Sequence, residues 1–341
     1  MPGSYDAFLL VSFGGPEGPD EVMPFLRNVT RGRGIPDERL EQVAVHYHHF
    51  GGVSPINQQC RDLIQAVEAD FAANGLDLPV YWGNRNWAPY LTDTVKQMAG
   101  DGVRRAIALT TSAYSSHSSC RQYLDDIERA RAETGPGAPV IDTVRHYFNH
   151  PGFIEPLVEH TRRALDALAP AVRNDAHLVF TAHSIPRAMA AASGPSGNAY
   201  AAQFREAARL ISDRVDGGAH PWELAYQSRS GPPSQPWLEP DVRDHLAALA
   251  SGGARAAVLV PAGFVSDHME VRYDLDVEAT AAAERLGIAV ARAATPGTHP
   301  RFVTMIRELA AERICDSAER LTLGILGPSH DVCPARCCAA R

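Results

Sequence analysis

Eight short apolar runs, separated by stretches of helical length, constrain the fold of this chain more than any other feature. Four fall in the first half, at Ala7–Ser12, Pro79–Trp82, Ala106–Thr110 and Pro139–Thr143. Four fall in the second, at His177–Ala182, Glu223–Gln227, Ala256–Val260 and Gly287–Arg292. They are rich in Val, Ile and Leu and do not alternate strictly with polar residues, as expected of strands covered on both faces. The segments between them, such as Gln58–Asn74 and Ala201–Val215, are amphipathic and of helical length. Strand and helix in regular alternation predict an α/β fold with parallel sheets and right-handed crossovers.

The halves also match at their strand ends. Ser12-Phe13-Gly14-Gly15-Pro16 answers His183-Ser184-Ile185-Pro186, and Thr110–Ser116 answers Pro261–Ser266. This reads as two similar doubly wound domains, each with a four-stranded parallel sheet, facing a central cleft. One large sheet would give a similar rhythm. The expected boundaries are 1–150 and 151–326, with Pro151–Ala169 as the linking helix, proline at its first position and Pro170 just past its end. Residues 327–341 are a cysteine-bearing tail without periodicity, so its order must come from something other than a hydrophobic face.

In open α/β sheets, ligands bind beyond the carboxyl ends of the strands. Two strand ends deliver ionisable groups there. A histidine among apolar residues is often a satisfied core residue, but the apolar run stops at His183 and Pro186 cannot continue the ladder. Imidazole also titrates near neutrality, as a proton acceptor should. The second run, Ala256–Val260, leads into Asp267-His268-Met269-Glu270. On an α-helix Glu270, Asp274 and Glu278 would share one face. That face is either solvated or a ladder of carboxylates that relays protons or leads a hydrated cation inward. His46, His48 and His49 read as a surface cluster.

Charge and hydropathy remove several classes. A formal net charge of −8 argues against a nucleic-acid partner. No apolar stretch approaches the roughly 20 residues of a membrane helix. The first residues lack the basic start of a secretory signal, so a cytoplasmic protein is expected, as a monomer. In a reducing compartment, clustered members of the six cysteines point to metal or redox chemistry rather than disulfides. Cys60 and Cys315 lie on helix-like stretches and read as packing residues.

Several motifs follow in order: Leu10-Val11-Ser12-Phe13-Gly14-Gly15-Pro16-Glu17, Gly51-Gly52-Val53-Ser54-Pro55 and Thr181-Ala182-His183-Ser184-Ile185-Pro186. Tyr226-Gln227-Ser228-Arg229-Ser230-Gly231, Trp237-Leu238-Glu239-Pro240, and Gly263–Glu270 with Tyr273–Asp276 complete the series. With them the chain resembles the ferrochelatases, which insert ferrous iron into a porphyrin, over nearly its whole length. The resemblance implies Rossmann-like, chelatase-type domains, with His183 binding iron and abstracting a proton and Glu270 as its metal-site partner. It implies porphyrin contacts at Ser54 and Tyr123 and places Phe13 where some members have a tyrosine that ligates the product iron. Arg31 and Arg33 suit propionates, or are solvated arginines.

The resemblance further implies a [2Fe–2S] cluster on Cys120, Cys333, Cys337 and Cys338, tying the tail to the first domain. Stray thiols on a frayed tail are the alternative. The start of the chain and its cysteines are similar to actinobacterial enzymes of the coproporphyrin branch. The expected reaction is therefore insertion of ferrous iron into coproporphyrin III, giving Fe-coproporphyrin for heme synthesis. Protoporphyrin IX as substrate, a cobalt chelatase, and a non-catalytic tetrapyrrole carrier are the alternatives. The presence of both His183 and Glu270 favours catalysis over binding alone.

Overall fold

The computed structural model describes residues 4–231, 234–315, 318–334 and 337–338. Residues 335–336 and 339–341 of the tail lie outside these. Its eight strands form two four-stranded sheets in which every pairing is parallel. The first contains β1 (Ala7–Ser12), β2 (Val80–Asn84), β3 (Arg105–Thr110) and β4 (Val140–Thr143), in the order β2-β1-β3-β4. The second contains β5 (His177–His183), β6 (Trp222–Gln227), β7 (Ala256–Val260) and β8 (Ala289–Arg292), in the order β6-β5-β7-β8. The same permutation occurs twice, so β1 and β5 hold equivalent places.

The central strands explain the unbroken apolar runs: every residue of β1 and of β7 is buried. Where sequence and structure differ, turn chemistry decides. The eighth run was expected to begin at Gly287, yet β8 begins at Ala289. Gly287 takes a left-handed conformation, φ +70°, to close the helix Thr280–Leu286, and the chain enters the sheet only after that turn.

Packing divides the chain into two compact units, each drawn from three stretches. One comprises Met1–Thr111, Gln122–Val144 and Ile306–Ala318; the other comprises Ser112–Arg121, Arg145–Met305 and Glu319–Arg341. In the first, Leu9, Val11, Ala106 and Ala108 pack with Val95, Met98 and Ile127. Phe8 stands edge-on to Phe71 of the helix Ile56–Ala73, with ring centroids 5.4 Å apart. Ion pairs from Arg307 to Asp70 (2.7 Å) and from Arg313 to Asp142 (3.3 Å) hold the last helical segment to this unit. In the second unit, Val179, Ala225, Ala257 and Leu259 pack with Val242, Leu246, Leu275 and Ala283. The helix Pro151–Ala167 packs within this second unit, against β7 and β8.

Two expectations are corrected, and packing groups one further segment differently from the expected boundary. Residues 112–121, and with them Cys120, belong by packing to the second unit rather than the first. Glu270 to Glu278 do not lie on one α-helix: a short turn Met269–Val271 runs into a π-helix, Arg272–Ala279. Cys60 is buried as a packing residue should be, but Cys315 is exposed, because the helix ends at Ile314. Among the described residues no helix is long and apolar enough to cross a membrane.

Candidate active site and sulfur centre

In the second unit the carboxyl ends of three adjacent strands converge on one group of side chains. His183 is the last residue of β5, Gln227 is the last of β6, and the loop after β7 carries Asp267, His268 and Glu270 into the π-helix. Buried parallel strands push their polar groups to this edge, since a charge cannot stay inside the sheet without a partner.

His183 Nδ1 lies 2.5 Å from the carbonyl oxygen of Ser184. A carbonyl only accepts, so Nδ1 carries the hydrogen, and in the neutral ring the lone pair is then on Nε2. That Nε2 lies 3.7 Å from Glu270 Oε2. The gap is too long for a hydrogen bond. It suits two ligands of one cation, since bonds of about 2.1 Å each allow donors up to about 4.2 Å apart. The Tyr200 hydroxyl donates to the His183 carbonyl at 2.8 Å and fixes the backbone beneath the ring.

Asp274 lies behind Glu270. Burial pushes its carboxyl up to about 7, against the lowering effect of a hydrogen bond donated by the Ser228 hydroxyl at 2.5 Å, while Glu270 and Glu278 push it further up. The Gln227 amide donates to the Glu270 carbonyl at 3.1 Å and to Asp274 at 3.4 Å. Ser228 has φ +61°, a conformation a non-glycine residue holds only when its surroundings impose it. Burial also lowers the His268 imidazole below its ordinary value, against the pull of Glu270, and its ring packs on Phe264.

Arg292, the last residue of β8, reaches Asp267 at 2.9 Å and also pairs with Asp276, bracing the loop and the π-helix together. Glu278, the far rung of the expected ladder, is paired with Arg243 at 3.2 Å. Sequence reasoning assigned no role to Gln227, Ser228 or Tyr200. The π-helix at such a site was the missed signal, since this winding is rare and concentrates at functional positions.

The remaining expected substrate residues lie in the first unit. Phe13 is 37% exposed and its ring meets Phe25. Arg31 and Arg33 are exposed on the turn after the helix Val22–Val29. Ser54 is buried, and its backbone N–H donates to the Pro16 carbonyl at 2.8 Å. Tyr123 is 5% exposed and sits in the core, with the Arg85 guanidinium 4.6 Å over its ring. His48 and His49 are exposed on the helix Asp37–His49, and His46 is partly buried.

A second group forms where Cys120, on the short π-helix His117–Arg121 after β3, meets the tail. Cys120 Sγ is 3.7 Å from Cys338 Sγ, which is 3.8 Å from Cys337 Sγ. The Cys120 thiol donates to the Ser116 carbonyl at 3.1 Å, and the Gly194 N–H donates to Cys338 Sγ at 3.1 Å. A hydrogen bond from Cys120 brings the Cys333 thiol down to about 5, with His330 adding to the effect. Cys120 and the Gly194 N–H bring Cys338 down to about 6. Cys120 is pushed up by its bonds to Cys333 and Cys338, and Cys337 is pushed up by burial. Cys333 and Cys338 are thus biased toward the thiolate and Cys120 and Cys337 toward the thiol, whose proton a metal would displace. No disulfide involves any of the four. His330, Cys333 and Cys337 each offer a donor atom within 4.8 Å of the others.

The ferrochelatase family model matches residues 5–314. A coproporphyrin III ferrochelatase of Streptomyces coelicolor is 57% identical, across 99% of this chain and 94% of its own length. One from Frankia alni is 56% identical, across 98% of this chain and 87% of its own length. A ferrochelatase of Rhodopirellula baltica is 53% identical, across 98% and 93%. Among solved structures, the Bacillus subtilis protein SirB with Fe3+ is similar at a TM-score of 0.55 and 11% identity, covering 94% of this chain and 99% of that one. A sirohydrochlorin chelatase bound to cobalt gives 0.53 at 10% identity, across 91% and 96%. At that identity the likeness shows the fold: two similar Rossmann-like domains.

Proposed function

The chain belongs to the ferrochelatase family, and from that premise we propose that it inserts ferrous iron into coproporphyrin III to give Fe-coproporphyrin for heme biosynthesis. One observation carries the chemistry: an imidazole nitrogen stands 3.7 Å from a carboxylate at the strand ends. Two pyrrole N–H bonds break as iron binds the ring nitrogens, so two protons must leave while one dication enters. His183 Nε2 first meets the iron and, once the iron has passed to the ring nitrogens, its freed lone pair takes a pyrrole proton; Glu270 shares the cation and hands protons on. Asp274, with its carboxyl at about 7, is the next stop because it accepts and releases a proton near neutrality. The assignment of Ser54, Tyr123 and Phe13 to the porphyrin rests on the family positions they match, and that of Arg31 on the fit of guanidinium to propionate. A monomer in the cytoplasm completes this reading.

The test is anaerobic loss of porphyrin fluorescence with ferrous iron, run in parallel on coproporphyrin III and protoporphyrin IX. Coproporphyrin should be consumed faster, and His183→Ala should slow it by about 10²–10⁴-fold. Equal turnover of protoporphyrin would remove the substrate assignment, and no turnover of either would remove the reaction.

We further propose that Cys120, Cys333, Cys337 and Cys338 hold a [2Fe–2S] cluster. The support is an all-sulfur donor set with spacings of 3.7 and 3.8 Å. Thiolates sharing one tetrahedral metal stand about 3.8 Å apart, for metal–sulfur bonds of about 2.3 Å. When bound, the cluster would supply one-electron chemistry; the residues here supply its ligands and the Gly194 N–H on Cys338. The same spacing suits a single tetrahedral zinc, which is the second reading. Two irons and two acid-labile sulfides per chain, against one zinc and no labile sulfide, separate them.

A further inference from the structure

The sulfur centre holds a fifth donor that its four cysteine positions do not need. His330 Nε2 lies 3.4 Å from Cys333 Sγ and 4.0 Å from Cys337 Sγ. An imidazole nitrogen and a thiolate sulfur on one tetrahedral metal stand about 3.5 Å apart, for bonds of about 2.1 and 2.3 Å. A nitrogen that stands in for Cys333 must reach the same metal as Cys337, and at 4.0 Å from Cys337 Sγ the imidazole is within about 0.5 Å of that spacing. On the other side of the centre the described contacts of the sulfurs are with backbone groups, and the His117 ring meets the Cys338 carbonyl rather than its sulfur. There Cys338 meets the Gly194 backbone N–H, and Cys120 meets the Ser116 carbonyl. An amide N–H has no lone pair to offer a metal, whereas a neutral imidazole does.

We propose that His330 is a reserve ligand of this centre, able to occupy the coordination place of Cys333 through Nε2. The proposal rests on the reading of the four cysteines as metal ligands. Iron–sulfur centres accept the exchange chemically, because imidazole replaces thiolate on one iron of Rieske-type clusters and raises the potential. Neutral imidazole in place of a thiolate removes one negative charge from the centre. The exchanged centre is therefore easier to reduce than the four-thiolate one.

The experiment uses full-length protein prepared anaerobically, as wild type, Cys333→Ala, His330→Ala, the double variant and Cys120→Ala. Iron and labile sulfide are counted per chain, and the dithionite-reduced proteins are examined by pulsed electron paramagnetic resonance after 15N-histidine labelling. Wild type and His330→Ala should hold equal iron. Cys333→Ala should keep more than half of it, with a shifted visible spectrum and a directly bonded nitrogen. The double variant and Cys120→Ala should fall below a tenth. Iron loss in Cys333→Ala as complete as in Cys120→Ala overturns the proposal, as does a retained cluster without nitrogen coupling. Cys333→Ser, checked by circular dichroism, serves if the alanine variant does not fold. If wild type holds one zinc instead, the cluster reading fails alone; zinc per chain in the same variants, with cobalt absorption as the ligand probe, then decides His330. A wild type that binds neither iron–sulfur nor zinc overturns both.

Discussion

Asp274→Asn removes a partly buried charge whose effect on stability has a defined dependence on pH. In the unfolded chain this carboxyl titrates near 3.8, and in the folded protein near 7, because burial disfavours its charged form. Between those values the folded state holds a proton that the unfolded state has released. Stability therefore falls as pH rises from about 4 to about 7 and levels off above. Each unit is worth about 1.4 kcal/mol, so the gap amounts to about 4 kcal/mol at pH 8, of which about 2–3 kcal/mol develops between pH 5 and pH 8. Asparagine carries no charge and keeps an oxygen to accept from Ser228. The variant should gain about 2–3 kcal/mol more over wild type at pH 8 than at pH 5. Urea unfolding followed by tryptophan fluorescence at the two pH values measures that difference. An offset that is the same at both would mean Asp274 is ionised throughout, and the reasoning from burial would be wrong.

Two further substitutions probe how the site is held. A Cβ at Gly263 would lie 2.5 Å from the Cα and Cβ of Ala182, the residue before His183, and would push the loop after β7 away from β5. Gly263→Ala should keep its circular dichroism spectrum and lose about 10²-fold in iron insertion, as displacements near 1 Å do; unchanged turnover would show that the His183–Glu270 spacing does not matter. Arg292→Met leaves Asp267 and Asp276 without their shared partner and should cost roughly 2–3 kcal/mol, below the 3–5 of a fully buried pair. Acid should restore part of that loss by protonating the two carboxylates, and an unfolding midpoint equal to wild type would remove the bracing role.

The sheets were legible because their central strands are covered on both faces, which leaves continuous apolar runs such as Ala256–Val260 that little else produces. The strand-end residues were legible for the same reason, since His183 and Glu270 interrupt that pattern at an edge. What the sequence hid depends on contacts between distant segments. The π-winding of Arg272–Ala279 leaves no period of its own in eight residues. The elevated carboxyl of Asp274 comes from the surrounding packing and from Ser228, 46 positions away in the chain. The allegiance of Cys120 to the second unit follows from packing that its neighbours in sequence do not announce. His330, three residues before Cys333, is by contrast a local spacing that the sequence carries in plain view.

The three carboxylates of the expected ladder differ in ways that separate two cations travelling in opposite directions. Iron entering and protons leaving would compete if one group had to bind both. Glu270 is about half exposed and faces His183 Nε2, so in the proposed reaction it would meet an arriving dication from water. Asp274 is partly exposed, and desolvation raises its carboxyl to about 7, which makes it a poor cation site and a good proton acceptor. Glu278 is occupied by Arg243 and takes part in neither task. The separation has a cost that can be measured. Above pH 7 Asp274 ionises and becomes a second anionic site beside Glu270, so a dication that is not a substrate should bind more tightly there. Inhibition of iron insertion by such a dication, magnesium for instance, should strengthen between pH 6 and pH 8 in wild type and much less in Asp274→Asn. Equal strengthening in both proteins would show that the proton and the metal share one carboxylate after all.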